Sequence, residues 1–145
     1  MKDEIFELSC NLDDMTGEEL GFASEMLLNA GALDVYTIPI GMKKNRPGVM
    51  LNVLCRPESR EKMVKLLFLH TTTIGVRETR HDRYILRREE KTRQTPYGPV
   101  RGKAVEGYGI RREKPEYEDL RRIALEQGIS LRRAREMLSG KDEQK

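Results

Sequence analysis

Two adjacent carboxylates, Asp13 and Asp14, stand where an alternating apolar run stops and a helix start signal begins. Hard oxygen donors at such a boundary suit Mg²⁺ or Mn²⁺, which take one or two protein carboxylates and complete their shells with phosphate oxygens or water. The same acids could instead complement the dipole of the following helix. Further along, GMKKNRPG gathers Lys43, Lys44 and Arg46 in one turn, where two ammonium groups and a planar guanidinium can reach phosphate oxygens or remain solvated. TTTIGVR adds the hydroxyls of Thr72 and Thr73, the permissive backbone of Gly75 and the charge of Arg77, a phosphate-binding set without a Walker lysine. His70 and His81 have no second His or Cys at metal-ligand spacing, and no Ser/His/Asp or Cys/His nucleophile set can be assembled. Cys10 and Cys55 fall on the apolar side of their runs, which reads as reduced core thiols.

Hydrophobic periodicity supplies the elements that would position these groups. Phe6, Leu8, Cys10 and Leu12 alternate with Glu7, Ser9 and Asn11 in a half-buried strand. Thr16 and Glu19 form a capping box for a helix with Leu20, Ala23, Met26, Leu27 and Ala30 at helical spacing, stopped by Gly31. Residues 33–42 and 49–56 are β-rich runs joined by KKNRPG and read as a hairpin. Pro57 opens a second helix, and residues 74–86 resume in extended form. This order is the split βαβ arrangement of ferredoxin-like domains, an α+β class, with both helices on one sheet face. The other face carries Glu7, Ser9, Asn11 and Asn52, too polar for a second core but usable for a ligand or for subunit contacts. A homo-oligomer is the expected outcome.

The predicted organisation is a ferredoxin-like βαββαβ core over 1–86, then a hairpin or strand around the TPYGP turn and a helical tail over 87–138 of the same domain. The tail's helices are opened by Pro115 and capped by Ser130, and residues 139–145 are expected to fray. With 145 residues, one core of ordinary size is expected. Charge is unevenly spread: residues 1–42 hold nine acids and one base, residues 43–145 hold 26 bases and 15 acids. That asymmetry suits a metal and a polyanion bound side by side. Seventeen bases lie between Arg77 and Arg135, but interleaved acids and sparse Tyr argue against nucleic acid as the partner. No run approaches the ~20 apolar residues of a membrane span. MKDEIFELS has no apolar signal core, so a cytoplasmic location is expected.

The segments NLDDMTGEEL, GALDVYTIPIGMKKNRPG, TTTIGVR, TPYGPV and KPEYEDLRRIA, in that order over residues 4–138, resemble the C-terminal domain of the LarC family of nickel insertion proteins. These are pyridinium-3,5-bisthiocarboxylic acid mononucleotide nickel chelatases. The resemblance implies a lyase-type nickel insertion that makes the nickel-pincer nucleotide cofactor of lactate racemase, dependent on CTP and on Mg²⁺ or Mn²⁺. It also implies an N-terminal portion of the same protein as partner, and nucleotide binding by this domain. On that basis Asp13 and Asp14 become candidate ion anchors, and Lys43, Lys44 and Arg46 candidate phosphate contacts. Thr72, Thr73, Gly75, Arg77, Arg101 and Lys103 follow as further nucleotide-binding candidates. The alternative is a non-catalytic ferredoxin-like module that assembles oligomers or senses a small ligand.

Overall fold

A computed structural model describes residues 1–139; the remainder of the expected frayed tail, residues 140–145, lies outside the described residues. The chain forms two compact units, one spanning Lys2–Tyr84 and one comprising Met1 with the residues from Ile85 onward.

The first unit runs β1 (Lys2–Leu12), α1 (Gly17–Asn29), β2 (Asp34–Met42), β3 (Arg46–Cys55), α2 (Arg60–His70) and β4 (Arg77–Tyr84). Its sheet has the order β2-β3-β1-β4, every neighbouring pair antiparallel, which is the ferredoxin-like arrangement. Alternation along β1 drives this architecture. Phe6, Leu8, Cys10 and Leu12 are buried with Leu51, Val53 and Cys55 of β3 and with Leu27, Met63 and Leu67 of the two helices, so both helices cover one face. Truncating a fully buried leucine such as Leu8, Leu51 or Leu67 to alanine would cost ~2–5 kcal/mol. The capping box forms: Thr16 Oγ1 accepts from the Glu19 amide at 3.2 Å, and Glu19 Oε2 accepts from the Thr16 amide at 3.2 Å. Cys10 and Cys55 are free and fully buried, and burial pushes both thiols up from their ordinary pKa.

The open face differs in one respect from the polar surface expected. Strand register places Tyr36 and Ile38 of β2 and Met50 of β3 on the same face as Ser9 and Asn11, so an apolar strip lies beside the polar one. Tyr36 is 38% and Ile38 41% exposed, whereas Asn52 is buried at 1%. Ser9 Oγ donates to Asn52 Oδ1 at 2.7 Å, and among the described residues no buried side-chain polar atom lacks a partner.

A second difference concerns residues 74–76, which read as extended but belong to the loop before β4. Thr hydroxyls there bond to nearby backbone, Thr71 Oγ1 to the Leu67 carbonyl at 2.6 Å and Thr73 Oγ1 to the Gly75 carbonyl at 2.7 Å. Such local bonds compete with a strand ladder.

The second unit contains β5 (Arg87–Thr95), β6 (Gly98–Gly107), β7 (Ile110–Pro115), α3 (Tyr117–Gln127) and α4 (Leu131–Leu138), with sheet order β5-β6-β7. Val100, Leu120, Ile123, Ala134 and Leu138 form its core. Strand β7 carries no apolar alternation, and Pro115 closes it instead of opening α3. Gly128 ends α3 in the left-handed region at φ 63°, and Ser130 Oγ caps α4 by accepting from the Arg133 amide at 3.0 Å. Among the described residues no helix is long and apolar enough to cross a membrane.

Candidate functional site

The β2–β3 hairpin overshoots the end of β1. Leu12, the last residue of β1, pairs with Val49, so Arg46, Pro47 and Gly48 run on beyond it for ~10 Å at strand spacing. A Cβ at Gly48 would sit 2.9 Å from the Leu12 carbonyl oxygen and 2.4 Å from Met42 Sδ, so only glycine permits this close crossing. The tip turns tightly, with Lys44 at φ 62° and Asn45 at φ 58°. Lys43, Lys44 and Arg46 are thereby carried on the extension that passes the end of β1, where Asp13 and Asp14 follow.

Two contacts reach the acidic pair from distant parts of the chain. Arg46 Nη1 donates to Asp13 Oδ2 at 3.3 Å, and Thr72 Oγ1 donates to Asp14 Oδ1. Arg77 Nη2 donates to Asn11 Oδ1 at 3.0 Å and lies 3.5 Å from Met50 Sδ, at the same end of the sheet. Thr73 lies near enough to Cys10 to act on its thiol, while its hydroxyl donates to the Gly75 carbonyl at 2.7 Å. Asp13, Asp14, Arg46, Thr72, Thr73 and Arg77 therefore gather at the end of β1, while Lys43 and Lys44 form no hydrogen bond or ion pair with another described side chain. Asn11, which holds Arg77, was read in the sequence as part of the polar open face but not as one of the nucleotide- or metal-binding candidates; its place two residues before the acid pair was the available signal.

Arg101 and Lys103 belong to the second unit. Asp119, 8% exposed, accepts from the Arg101 backbone amide at 2.7 Å and from its Nε at 3.1 Å and Nη2 at 3.2 Å. Those bonds from the Arg101 side chain and amide hold the Asp119 carboxyl below the usual carboxylate range. Lys103 Nζ lies 3.0 Å from Glu116 Oε1.

A further polar group crosses the open face. Glu7 accepts from Tyr36 Oη at 2.9 Å through Oε1 and meets His81 Nε2 at 2.9 Å through Oε2, tying edge strands β2 and β4 to the central β1. The carboxylate of Glu7 pushes the Tyr36 hydroxyl pKa up. Among the described residues no group of three His, Cys, Asp or Glu side chains could hold a metal by itself. The donors at the end of β1 are two carboxylates and a hydroxyl, hard oxygens that fit a divalent ion whose remaining ligands come from a bound anion.

The sequence profile described as "Nickel insertion protein" matches residues 1–135. The chain belongs to the nickel insertion protein family. Among its relatives, the pyridinium-3,5-bisthiocarboxylic acid mononucleotide nickel insertion proteins of Alkaliphilus metalliredigens and Acetivibrio thermocellus are 46% and 44% identical over 90% and 89% of this chain. The chain spans about a third of their length, 31% and 32%. Its fold resembles that of the C-terminal domain of a cyclometallase involved in synthesis of the NPN cofactor of lactate racemase, at 39% identity and a TM-score of 0.85, covering 99% of this chain and 100% of that one. A protein of Methanopyrus kandleri is similar at 28% identity and a TM-score of 0.76, covering 94% of this chain and 86% of that one. The likeness to that C-terminal domain accounts for the α+β architecture.

Proposed function

We propose that this chain is the CTP- and divalent-cation-binding part of a nickel chelatase that acts on pyridinium-3,5-bisthiocarboxylic acid mononucleotide. In this reading Asp13 and Asp14 anchor Mg²⁺ or Mn²⁺ at the end of β1, and Lys43, Lys44 and Arg46 take the triphosphate from the hairpin side. Thr72, Thr73, Gly75 and Arg77 contribute hydroxyl, backbone and guanidinium donors from the α2–β4 loop. When bound, the divalent ion neutralises phosphate charge and fixes the orientation of the chain of phosphates. Nickel is the cargo, and its insertion requires the rest of the whole protein.

The observation that carries this reading is the double contact on the acid pair, Arg46 to Asp13 and Thr72 to Asp14, from two loops far apart in sequence. A pair serving only the α1 dipole would need neither partner. The Arg46–Asp13 bridge keeps the two opposite charges close together, and an incoming cation and polyanion would separate them, each taking the partner of its own complement. Calorimetric titration with CTP, ATP and GTP, each with and without Mn²⁺, tests the reading. Metal-dependent binding with CTP preferred is expected; no nucleotide binding under any of these conditions removes it.

The second reading is an assembly module, supported by the exposed strip along β2. The two are compatible, because the strip and the end of β1 use different residues. We propose a homo-oligomer built on that strip.

A further inference from the structure

The second unit carries its own charge imbalance, fourteen bases against nine acids over residues 85–139. Much of it collects around one groove of about 770 Å³ between the three-stranded sheet and α4. Seven of the fourteen residues lining it are Lys or Arg; strand alternation puts Lys91 and Arg93 on the face that carries Val100, Gly102 and Ala104 and turns Arg101, Lys103, Arg112 and Lys114 to the other, so the cations over the floor are Lys91, Arg93 and Arg135 of α4. Glu113 is the one acidic residue of the lining, and its carboxylate lies 3.2 Å from Arg111 in an exposed pair.

Strand register explains how the groove is shaped. Lys91 pairs with Gly102 and Arg93 with Val100 across β5 and β6, and Gly102 pairs with Pro115 across β6 and β7. Gly102 is therefore the one position on the floor with no side chain, and a Cβ there would approach the Lys114 carbonyl to 3.0 Å. Buried Val100, Ala104 and Leu138 make the rest of the floor apolar. An apolar floor under cationic walls strengthens the field felt by an anion. Arg93 Nη2 donates to the Leu138 carbonyl at 2.5 Å, which occupies the electronegative end of α4 and fixes the guanidinium at the rim with donors to spare. Arg135 has no partner among the described residues, and Lys91 meets only Glu89 at 3.5 Å, an exposed pair of little strength.

We infer that this groove is an anion site for a phosphate monoester borne by a small molecule of mononucleotide size, held by Lys91, Arg93 and Arg135. It is separate from the acid pair of the proposed CTP site and does not depend on that reading. With Glu113 as the single carboxylate of its lining, the groove offers a divalent ion less than the acid pair does, so a bare phosphate dianion suits it better than a metal-chelated triphosphate. None of its lining residues is aromatic, so it lacks the stacking platform of a single-strand nucleic-acid channel.

The test is titration of the whole chain in EDTA with CMP, inorganic phosphate, cytidine and a single-stranded oligonucleotide. CMP and phosphate are expected to bind and cytidine to fail. CMP binding tighter than phosphate assigns the nucleoside to the apolar floor, whereas equal affinities would place only the phosphate there. Lys91→Gln and Arg135→Gln, both at exposed positions, should each weaken CMP about tenfold, the loss of one charge-assisted bond. Absence of CMP binding by the parent overturns the inference, as does unaltered affinity in both single variants with unshifted melting. Oligonucleotide binding that tightens with strand length while CMP does not bind would convert the groove to a nucleic-acid surface and equally overturn it.

Discussion

Arg46 reaches Asp13 across 33 positions of sequence, Nη1 to Oδ2 at 3.3 Å, from a hairpin tip that extends past the strand on which the acid pair follows. The bridge joins the acidic first third of the chain to its basic remainder. It is largely open to solvent on the arginine side, so as an ion pair it stabilises the fold weakly. Its value is positional, since it holds a guanidinium beside a carboxylate that has a second carboxylate next to it.

Asp13→Asn combined with Asp14→Asn should abolish Mn²⁺-dependent CTP binding and leave the fold intact. Both residues lie beyond the last buried position of β1, Leu12, and neither contributes to the core. Paired calorimetry and thermal melting check this. Unchanged affinity in a folded double variant would return the acids to the role of dipole partners for α1.

The basic tip gives a graded version of the same experiment. Three cations within four residues repel one another, and only solvent and salt screen them, over ~8 Å near physiological ionic strength. Lys43→Ala, Lys44→Ala and Arg46→Ala should each weaken CTP about tenfold where the side chain touches phosphate, since a charge-assisted bond contributes ~1.5–3 kcal/mol. In the presence of Mn²⁺ CMP should lose far less. Three single variants that bind CTP like the parent would remove the tip from the site.

How much of this could be read from the chain alone depended on how strongly each segment was patterned. Strand β1 and helix α1 were legible because Phe6 through Leu12 alternate at period two and Leu20 through Ala30 repeat at helical spacing behind a capping box. Strand β7 was not, because IRREKP has no apolar face; the Tyr108–Gly109 turn before it was the only local signal, and pairing with β6 decides it. The open face was half legible: the polar residues of β1 were evident, but the placing of Ile38 and Met50 beside them follows from register, a tertiary property. At the site, residue types pointed to the acid pair and the basic tip, while the crossing at Gly48 that brings them together left no mark beyond one glycine in a turn. Interleaved acids hid the groove of the second unit. Strand alternation places Lys91 and Arg93 on one face with a single acid of that strand, Glu89, and Glu90 on the other, a sorting that composition averages away.

The exposed strip on β2 predicts a self-association surface. An edge strand of nine residues with Tyr36 and Ile38 open to solvent is an available template for pairing or packing with a second copy. Light scattering at micromolar concentration should give a closed oligomer, and Ile38→Lys should raise its dissociation constant at least about tenfold, the effect of ~1.4 kcal/mol. A monomeric parent rules the assembly out, and an Ile38→Lys oligomer as tight as the parent's moves it off β2.

Asp119 predicts how the second unit responds to acid. Its carboxylate is almost wholly buried and takes three hydrogen bonds from Arg101, two from the guanidinium and one from the backbone amide, which together hold its pKa below the ordinary value despite the opposing effect of burial. An unfolded aspartate titrates near ~3.9. Because the folded value is the lower of the two, the folded state binds fewer protons between them, so the stabilisation is complete above the unfolded pKa and disappears as pH falls through the folded one. Asp119→Asn keeps the shape and one acceptor but not the charge. The variant should therefore be less stable than the parent at neutral pH, with the difference narrowing below pH ~4 as the parent's carboxylate is protonated. Denaturant unfolding of both proteins from neutral to strongly acidic conditions measures this, followed by a backbone amide probe at Arg101 so that the second unit is read separately from Asp3 and Asp82, whose carboxyls are also held low by Arg83 and Lys2. Stability curves that stay parallel down to the acid limit would mean that the Asp119 charge is not what secures β6 to α3.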